Sequence, residues 1–316
     1  MRIARSGELP VINQRPNAIT DPSLPMFHRL HHLVGQWTKR LKLQQLTAFC
    51  CAVLLSMTLA LTSGDAWAAE PLQWDSEEEM AAAISEAIAL TDEAFDLTNR
   101  GNYEEAEAVW TRILKSFPYN AEIWSNRGNA RASQMKLNEA IEDYEQAIAL
   151  APDAPDPYLN RGAALENMGQ WEAAIADYDR VLDIDPEDAA AYNNRGNAQG
   201  GLGNWDNALE DFKRASDLGG EFVIARENYA LALYQTGNNE EALRQLRNLV
   251  RKYPRFADAR AALTAVLWDL GDQGEAESQW VSVVGLDRRY KDINWVRDIR
   301  RWPPSVTQGL DRFLKL

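Results

Sequence analysis

Small and large apolar residues recur along most of the chain at a spacing of 34 residues. One repeated position holds alanine, and the position four residues later holds a large apolar or aromatic residue. The alanines are Ala106, Ala140, Ala174, Ala208, Ala242 and Ala276, and the large residues are Trp110, Tyr144, Tyr178, Phe212, Leu246 and Trp280. This spacing gives six frames without an insertion: 87–120, 121–154, 155–188, 189–222, 223–256 and 257–290. A repeat of this length indicates stacked supersecondary units.

Each frame has the pattern of two helices joined by a turn. In the second half of frame two, apolar residues return at steps of three and four from Leu137 through Tyr144 to Ile148, which predicts an amphipathic helix. Proline closes four of the frames, at Pro118, Pro152, Pro186 and Pro254, and stops the second helix. A helix pair of this size cannot bury its apolar face alone, so the frames are expected to stack into a solenoid.

The frames resemble the tetratricopeptide repeat. Frame three carries the family pattern most fully, at Tyr158, Gly162, Gly169, Trp171, Ala174, Tyr178 and Pro186. The resemblance covers residues 87–290 and implies an all-α fold: a right-handed α-solenoid of six helix-turn-helix repeats whose first helices line a concave surface. It also implies a protein or peptide partner, whose identity the fold does not specify because the same fold serves many partners.

The segments on either side of the repeats have the pattern of caps. Residues 69–86 are predicted to form an N-terminal capping helix that starts at Ser76 and has acids in its first turn, where they suit the helix dipole. Residues 291–316 hold a proline pair and then a helix whose apolar residues are Val306, Leu310, Phe313 and Leu314. This helix is expected to seal the core of frame six. Trp295 and Trp302 belong either to that seal or to a docking site.

Residues 1–68 have the pattern of a targeting segment. An uncharged, mostly apolar stretch over residues 46–61 follows a basic flank that ends at Lys42, and the small residues Ala66 and Ala68 come after it. This pattern predicts an exported protein whose signal is cleaved after Ala68, with an uncleaved membrane anchor as the alternative. Every cysteine and histidine of the chain lies in this segment: Cys50, Cys51, His28, His31 and His32.

The composition excludes most catalytic chemistry from the exported part. Removal of the basic targeting segment takes the net charge from −14 to −18, and so acidic a surface repels nucleic acid. Without cysteine or histidine, the repeats lack the groups of a catalytic triad or an ordinary zinc site. We therefore expect no enzyme, no cofactor and no metal. A carboxylate-only glycan hydrolase that uses Glu142–Asp143 or Glu210–Asp211 is a further alternative.

Two charged positions vary together among the frames. Frames two, three and four have arginine at the seventh position and aspartate at the twenty-third, which gives the pairs Arg127/Asp143, Arg161/Asp177 and Arg195/Asp211. Frames one, five and six have neither residue at these positions. Joint presence and joint absence predict an ion pair that joins helices within a frame or between adjacent frames. Its expected role is to hold the helices in register.

A row of asparagines is the candidate binding site. Asn126, Asn160, Asn194 and Asn228 lie 34 residues apart, and Asn129, Asn193 and Asn197 lie close to them in sequence. In some members of the family that this chain resembles, an asparagine row on the concave surface holds an extended peptide by its backbone amides. An asparagine side chain can both donate and accept a hydrogen bond, so a row of them can follow a main chain of any sequence. The alternative is that these amides bond only to their own neighbours.

Charge bears on the class of ligand. The family's carboxylate clamp needs basic residues where this chain has Glu122, Ser125, Asp156 and Ala190, so an acidic C-terminal tail is not the expected ligand. From Asp287 onward the chain carries eight basic and four acidic residues. This basic end could lie on an anionic membrane surface, which makes a cell-envelope structural module, docked to membrane or wall components, the alternative function.

The C-terminus has a narrower resemblance of its own. Arg288–Tyr290, Asp292, Trp295, Arg300–Pro304 and Phe313–Leu314 are similar to residues of the lumenal tetratricopeptide proteins of chloroplasts and cyanobacteria. This resemblance implies a location in the thylakoid lumen or the periplasm. It also implies a scaffold or assembly factor for photosynthetic membrane complexes.

Overall fold

The computed structural model of the protein describes Trp74, residues 76–220 and residues 222–315. The predicted targeting segment, with its cysteines and histidines, lies outside the described residues. Within them the chain forms fourteen α-helices, one 3-10 helix and no β-strand, so the predicted all-α fold is confirmed. None of the described helices is both long enough and apolar enough to cross a bilayer.

The helices follow one another with short connections. They are α1 (Glu77–Asn99), α2 (Tyr103–Ser116), α3 (Ala121–Ser133), α4 (Leu137–Leu150), α5 (Pro155–Asn167), α6 (Trp171–Ile184), α7 (Ala189–Gly201), α8 (Trp205–Leu218), α9 (Val223–Gln235), α10 (Asn239–Lys252), α11 (Ala257–Asp269), α12 (Gln273–Leu286), α13 (Ile293–Asp298) and α14 (Pro304–Leu314). The 3-10 helix, Arg288–Lys291, lies between α12 and α13.

Helix α1 is part of a separate compact unit from residues 101–316 and is described by itself. The Ser76 hydroxyl accepts a hydrogen bond from the backbone N–H of Glu79 at 3.1 Å and so caps its first turn. The predicted boundary between the capping helix and frame one, at residues 86 and 87, lies inside this helix. No glycine or proline occurs between Ser76 and Arg100, so nothing in the sequence interrupts the backbone hydrogen bonds there.

Residues 101–316 form an α-solenoid. Each helix from α2 to α11 packs against the next one along the chain. In frames two to six the first helices are α3, α5, α7, α9 and α11, each starting at the first residue of its frame. Contacts between successive first helices join α3 to α5, α5 to α7 and α9 to α11. We call the surface formed by these five helices the first-helix face. It is the inner side of the stack, because the described second helices do not approach one another as closely.

The turn within each frame depends on a residue with positive φ. Gly169 has φ of 72°, and the corresponding glycines of frames four, five and six have φ between 81° and 88°. Frame two has Met135 at this place, with φ of 60°. Glycine is the usual residue just past a helix C-terminus because it has no Cβ to clash there. The turn of frame two therefore carries backbone strain that the other turns avoid.

A second repeated glycine sets the distance between paired helices. Gly162 of α5 lies on the ring of Tyr178 in α6, and a Cβ added to it would lie 2.6 Å from Tyr178 Cε1. Tyr178 itself is fully buried. The aromatic residue of the second helix therefore occupies the space that a side chain on the first helix would need.

The C-terminal helix packs on frame six, where its Phe313 ring contacts Trp280, and extends to frame five. Helix α14 packs across α11 and also contacts α9, which are the first helices of frames six and five. Its Val306, Leu310 and Phe313 are buried, and the Phe313 ring lies edge-on to Trp268 with 5.3 Å between the ring centroids. The amphipathic face of α14 therefore covers the first-helix face of two repeats. Trp302 is buried in this region.

Candidate functional site

The asparagine row runs along the first-helix face, and its members differ in their surroundings. Asn126 of α3 and Asn160 of α5 are half-buried. Their side-chain amides make no hydrogen bond with any residue that the structure describes. Asn194 of α7 is buried. The part of the row in frames two and three thus presents amides whose donors and acceptors are not used within the described fold.

The part of the row in frames four and five is a connected cluster of amides. Asn228 of α9 donates from Nδ2 to Asn193 Oδ1 at 3.0 Å and to Asn197 Oδ1 at 3.5 Å. Asn193 in turn donates to Asn194 Oδ1 at 3.3 Å. These bonds tie α7 to α9, so the alternative interpretation, in which the amides bond to their own neighbours, describes this part of the row. Asn129 likewise accepts from the Tyr144 hydroxyl at 2.8 Å.

The three arginine and aspartate pairs lie together, each within one frame. Each arginine binds both oxygens of its aspartate through Nε and Nη2. The distances are 2.9 and 2.7 Å for Arg127 with Asp143, 2.9 and 2.6 Å for Arg161 with Asp177, and 3.0 and 2.7 Å for Arg195 with Asp211. The aspartate side chains are 2–8% exposed. Two parallel charge-assisted bonds of this kind fix the orientation of both groups.

The same arginines also reach the preceding frame, a contact that the sequence did not predict. Arg195 Nη1 donates to Asp179 Oδ1 in α6 at 2.6 Å, and Arg161 Nη1 lies 3.9 Å from Glu145 Oε1 in α4. Arg127 Nη1 donates to Thr111 in α2 at 3.4 Å. Each of these partners lies sixteen residues before its arginine. The arginines therefore connect neighbouring repeats as well as the two helices of one repeat.

Acidic side chains on the first-helix face bind arginines of the C-terminal segment. Arg300 pairs with Asp258 of α11 and lies 3.9 Å from Glu227 of α9. Arg312 Nε donates to Asp269 Oδ1 of α11 at 2.9 Å. Glu227 is fully buried, and neither of its carboxylate oxygens has a hydrogen bond. Burial raises its pKa well above the usual range, nearby Asp258 raises it further, and Arg300 opposes both effects.

A fourth acidic residue, Glu166 of α5, binds Arg301. Arg301 Nη1 lies 3.5 Å from Glu166 Oε1, and the Tyr178 hydroxyl donates to Glu166 Oε2 at 3.1 Å. The Arg301 guanidinium also lies over the ring of Trp171, 5.4 Å from its centroid. Burial raises the pKa of Glu166 to about 7, against the opposing influence of Arg301 and of the Tyr178 hydrogen bond. No periodic pattern links these residues, and sequence reasoning missed them.

Two of the four carboxylates considered for hydrolysis have structural partners. Asp143 and Asp211 are the aspartates of two of the ion pairs, while Glu142 and Glu210 point to the exposed side of their helices. Within the described part of the chain, no group of three acidic, histidine or cysteine side chains is arranged to hold a metal ion. The chemistry that the site supports is hydrogen bonding to a main chain and pairing with cations.

Two family models match the repeats. One, described as TPR repeat, matches residues 128–169 and 167–203, and the other, described as Tetratricopeptide repeat, matches residues 193–246 and 230–287. Together they extend over about half of the chain. A search of curated proteins found no match.

Solved structures with similar folds support the same architecture. The Pseudomonas aeruginosa pilF structure has a TM-score of 0.58 at 18% identity, over 66% of this chain and 94% of that one. A tetratricopeptide repeat protein from Parabacteroides merdae has a TM-score of 0.56 at 20% identity, over 73% and 100%. The Cut9–Hcn1 hetero-tetramer of the APC/C gives 0.58 at 15% identity, over 73% and 42%. At these identities the likeness establishes the fold alone.

Proposed function

This chain belongs to the tetratricopeptide-repeat family, and from that premise we propose that it is a non-catalytic scaffold that binds an extended polypeptide on its first-helix face. Tetratricopeptide repeats act as protein-interaction modules, and the specific partner depends on the residues of the binding surface. Here that surface is the inner side of frames two to four, since α14 covers the first helices of frames five and six.

The proposal rests on the side-chain amides of Asn126 and Asn160, which are half-buried and have no hydrogen bond to a described residue. Both amides occupy the same place in adjacent first helices. A half-buried amide gains from a partner that satisfies it, because an unmade hydrogen bond is costly where water has limited access. An extended main chain offers alternating donors and acceptors that such amides can bind.

The proposal includes a location and a role. The targeting pattern of residues 1–68 and the resemblance of the C-terminus to lumenal proteins support an exported protein of the thylakoid lumen or the periplasm. We propose that it assists the assembly or maintenance of photosynthetic membrane complexes there. Fractionation of cells that express the tagged full chain tests the location, and recovery of the protein in the cytosol alone would contradict it.

Affinity capture with matched variants tests the binding face. The wild-type chain should capture a polypeptide partner that the double variant Asn126→Ala/Asn160→Ala does not. The control is Asn138→Ala/Asn207→Ala, which changes two exposed asparagines on second helices and should retain the partner. Equal capture by all three proteins would show that the asparagine row is not the binding site.

Docking of the basic C-terminal end to membrane or wall components is the weaker alternative. Three of the eight basic residues beyond residue 286, namely Arg300, Arg301 and Arg312, are already paired with acids on the first-helix face. Their charge is therefore largely neutralised within the fold. Binding to anionic vesicles that disappears at high salt would favour this alternative.

A further inference from the structure

Glu166 and Trp171, which surround the Arg301 side chain, are arranged as a binding subsite for a guanidinium group. Glu166 is at the C-terminal end of α5, and Trp171 starts α6. Between them they hold the Arg301 side chain, with 3.5 Å from Nη1 to Glu166 Oε1 and 5.4 Å from the guanidinium carbon to the Trp171 ring centroid. A carboxylate for the charge and an indole ring for the flat face are the two groups that arginine binds best.

The surrounding residues hold this subsite in shape. A Cβ at Gly201 of α7 would lie 2.7 Å from the Trp171 ring, so the absence of a side chain there allows the ring its position. The Tyr178 hydroxyl bonds to the second oxygen of Glu166 at 3.1 Å. The Glu166 side chain is only 15% exposed, which leaves its carboxylate poorly solvated. A buried acid of this kind is stabilised by a cation that enters from the open side.

Arg301 is a loosely held occupant of the subsite. Its side chain is 40% exposed, and its one ionic contact with Glu166 is long for a charge-assisted bond. Its backbone has φ of 52°, a left-handed conformation that is strained for an arginine. The rest of the C-terminal segment has its own anchors, because α14 packs on α11 and α9. Arg301 can therefore leave while α14 stays in place.

We infer that Glu166 and Trp171 form an arginine-binding subsite of the first-helix face, and that Arg301 fills it until an extended, arginine-bearing polypeptide displaces it. This inference rests on the proposed function and specifies its partner. Glu166 lies six residues after Asn160 in the same helix, about 9 Å along its axis and about 120° around it. A long arginine side chain on a main chain bound at the asparagine row can span this offset and reach the subsite. The charge of the face agrees, because its acids already hold Arg300 and Arg312 elsewhere.

The test measures binding of two fluorescent peptides to the full-length chain. One peptide has the sequence of residues 299–305, and the other differs only in having Gln in place of Arg301. Removing the internal competitor raises the fraction of protein with a free subsite. The variant Arg301→Gln should therefore bind the first peptide about tenfold more tightly than the wild type does. The gain should vanish in Arg301→Gln/Glu166→Gln and should be absent for the second peptide.

A control variant separates loss of charge from loss of the subsite contact. Arg297→Gln removes an exposed arginine that pairs with neighbouring Asp298, and it should bind both peptides as the wild type does. A gain in affinity that survives Glu166→Gln, or that extends to the second peptide, would overturn the arginine subsite. So would the absence of any gain in Arg301→Gln. Loss of partner capture in Asn126→Ala/Asn160→Ala would still support the binding face in either case, so the two proposals fail separately.

Discussion

The Arg195 guanidinium binds Asp211 through two hydrogen bonds of 3.0 and 2.7 Å and reaches Asp179 of the preceding repeat with its remaining nitrogen. One side chain thereby joins α6, α7 and α8. Its guanidinium also lies 5.4 Å from the centroid of the Tyr192 ring, which supports its orientation from the side. In a solenoid each repeat contacts only its neighbours, so a connection of this kind contributes directly to the interface between repeats.

Loss of such an arginine should destabilise the fold strongly. Arg161→Ala leaves the Asp177 carboxylate, only 6% exposed, without its bidentate partner. We expect the free energy of unfolding to fall by about 2–3 kcal/mol, since an unpaired buried charge is costly. Urea unfolding followed by the helical circular dichroism signal measures this loss.

The matched control for that experiment is an exposed pair. Arg180→Ala removes an ion pair with Asp153 whose side chains are 39% and 91% exposed, and it should cost less than about 1 kcal/mol. If Arg161→Ala cost no more than Arg180→Ala, the role of the paired arginines in holding the repeats together would be refuted.

The strained turn of frame two should be improved by glycine. Met135 has φ of 60° and is half exposed, so Met135→Gly relieves backbone strain and removes little packing. We expect a net stabilisation of about 0.5–1 kcal/mol, because the greater entropy of glycine in the unfolded chain offsets part of the relief. Thermal unfolding of the two proteins measures the difference.

Replacing glycine by alanine in the corresponding turn of another frame tests whether the effect comes from the backbone conformation. Gly169 occupies the corresponding turn of frame three with φ of 72°, and a Cβ there would meet no atom within 4 Å. Gly169→Ala should therefore destabilise by about 1 kcal/mol, because backbone strain without any steric clash outweighs the lower entropy of alanine in the unfolded chain. Opposite signs for the two substitutions are the expected result, and stabilisation by both would contradict it.

The periodic features of this chain were predictable from its sequence, because its six repeats can be aligned with one another position by position. Alanine at one position and a large residue four places later predict the paired helices. Arginine and aspartate that appear in the same three frames and vanish from the other three predict their contact. The contact of Arg195 with Asp179 escaped this reasoning, because the corresponding residues of other frames are Thr111 and Glu145. These three residues occupy the same position in their frames, but they are of different types, so no repeated pattern marked the contact.

Contacts outside the repeat pattern could not be predicted in the same way. Arg301 meets Glu166 across 135 residues of chain, and only the tertiary path of the C-terminal segment brings them together. The amphipathic pattern of α14 indicated a face that packs on frame six, but it did not indicate the further contact with α9 of frame five. The asparagine row looked uniform, yet its members differ because frame four alone has a second asparagine, Asn193, beside the repeated one.

The free energy of unfolding should depend on pH in a way that reflects the raised pKa of the buried Glu166 carboxyl. Its pKa rises from 4.5 to about 7 in the fold, chiefly through burial. Between these values the folded chain retains a proton that the unfolded chain has released, so stability falls as the pH rises through this window. Relative to Glu166→Gln, the wild type should lose on the order of 2 kcal/mol between pH 4.5 and 7. Urea unfolding at several pH values measures the loss.

The variant Glu166→Gln provides the reference for this pH series, because it keeps every other acid of the wild type. The prediction concerns the difference between two titrations, so changes at other acids cancel. A constant difference between wild type and Glu166→Gln across the window would show that the Glu166 carboxyl ionises normally in the fold.

Asparagines of the same row should respond differently to the same substitution. Asn228→Ala removes two hydrogen bonds to α7 and leaves the Asn193 acceptor without its donor, which should lower the free energy of unfolding by about 1–2 kcal/mol. Asn126→Ala and Asn160→Ala remove amides that bond to no described residue, and each should change stability by less than about 0.5 kcal/mol. Chemical unfolding of the three single variants measures these differences.

Stability and binding then separate within one row: the amides that the fold uses hold helices together, and those that it leaves unused remain free for a partner. Equal destabilisation by all three variants would mean that Asn126 and Asn160 also stabilise the fold, and that would remove the basis for assigning them to a ligand.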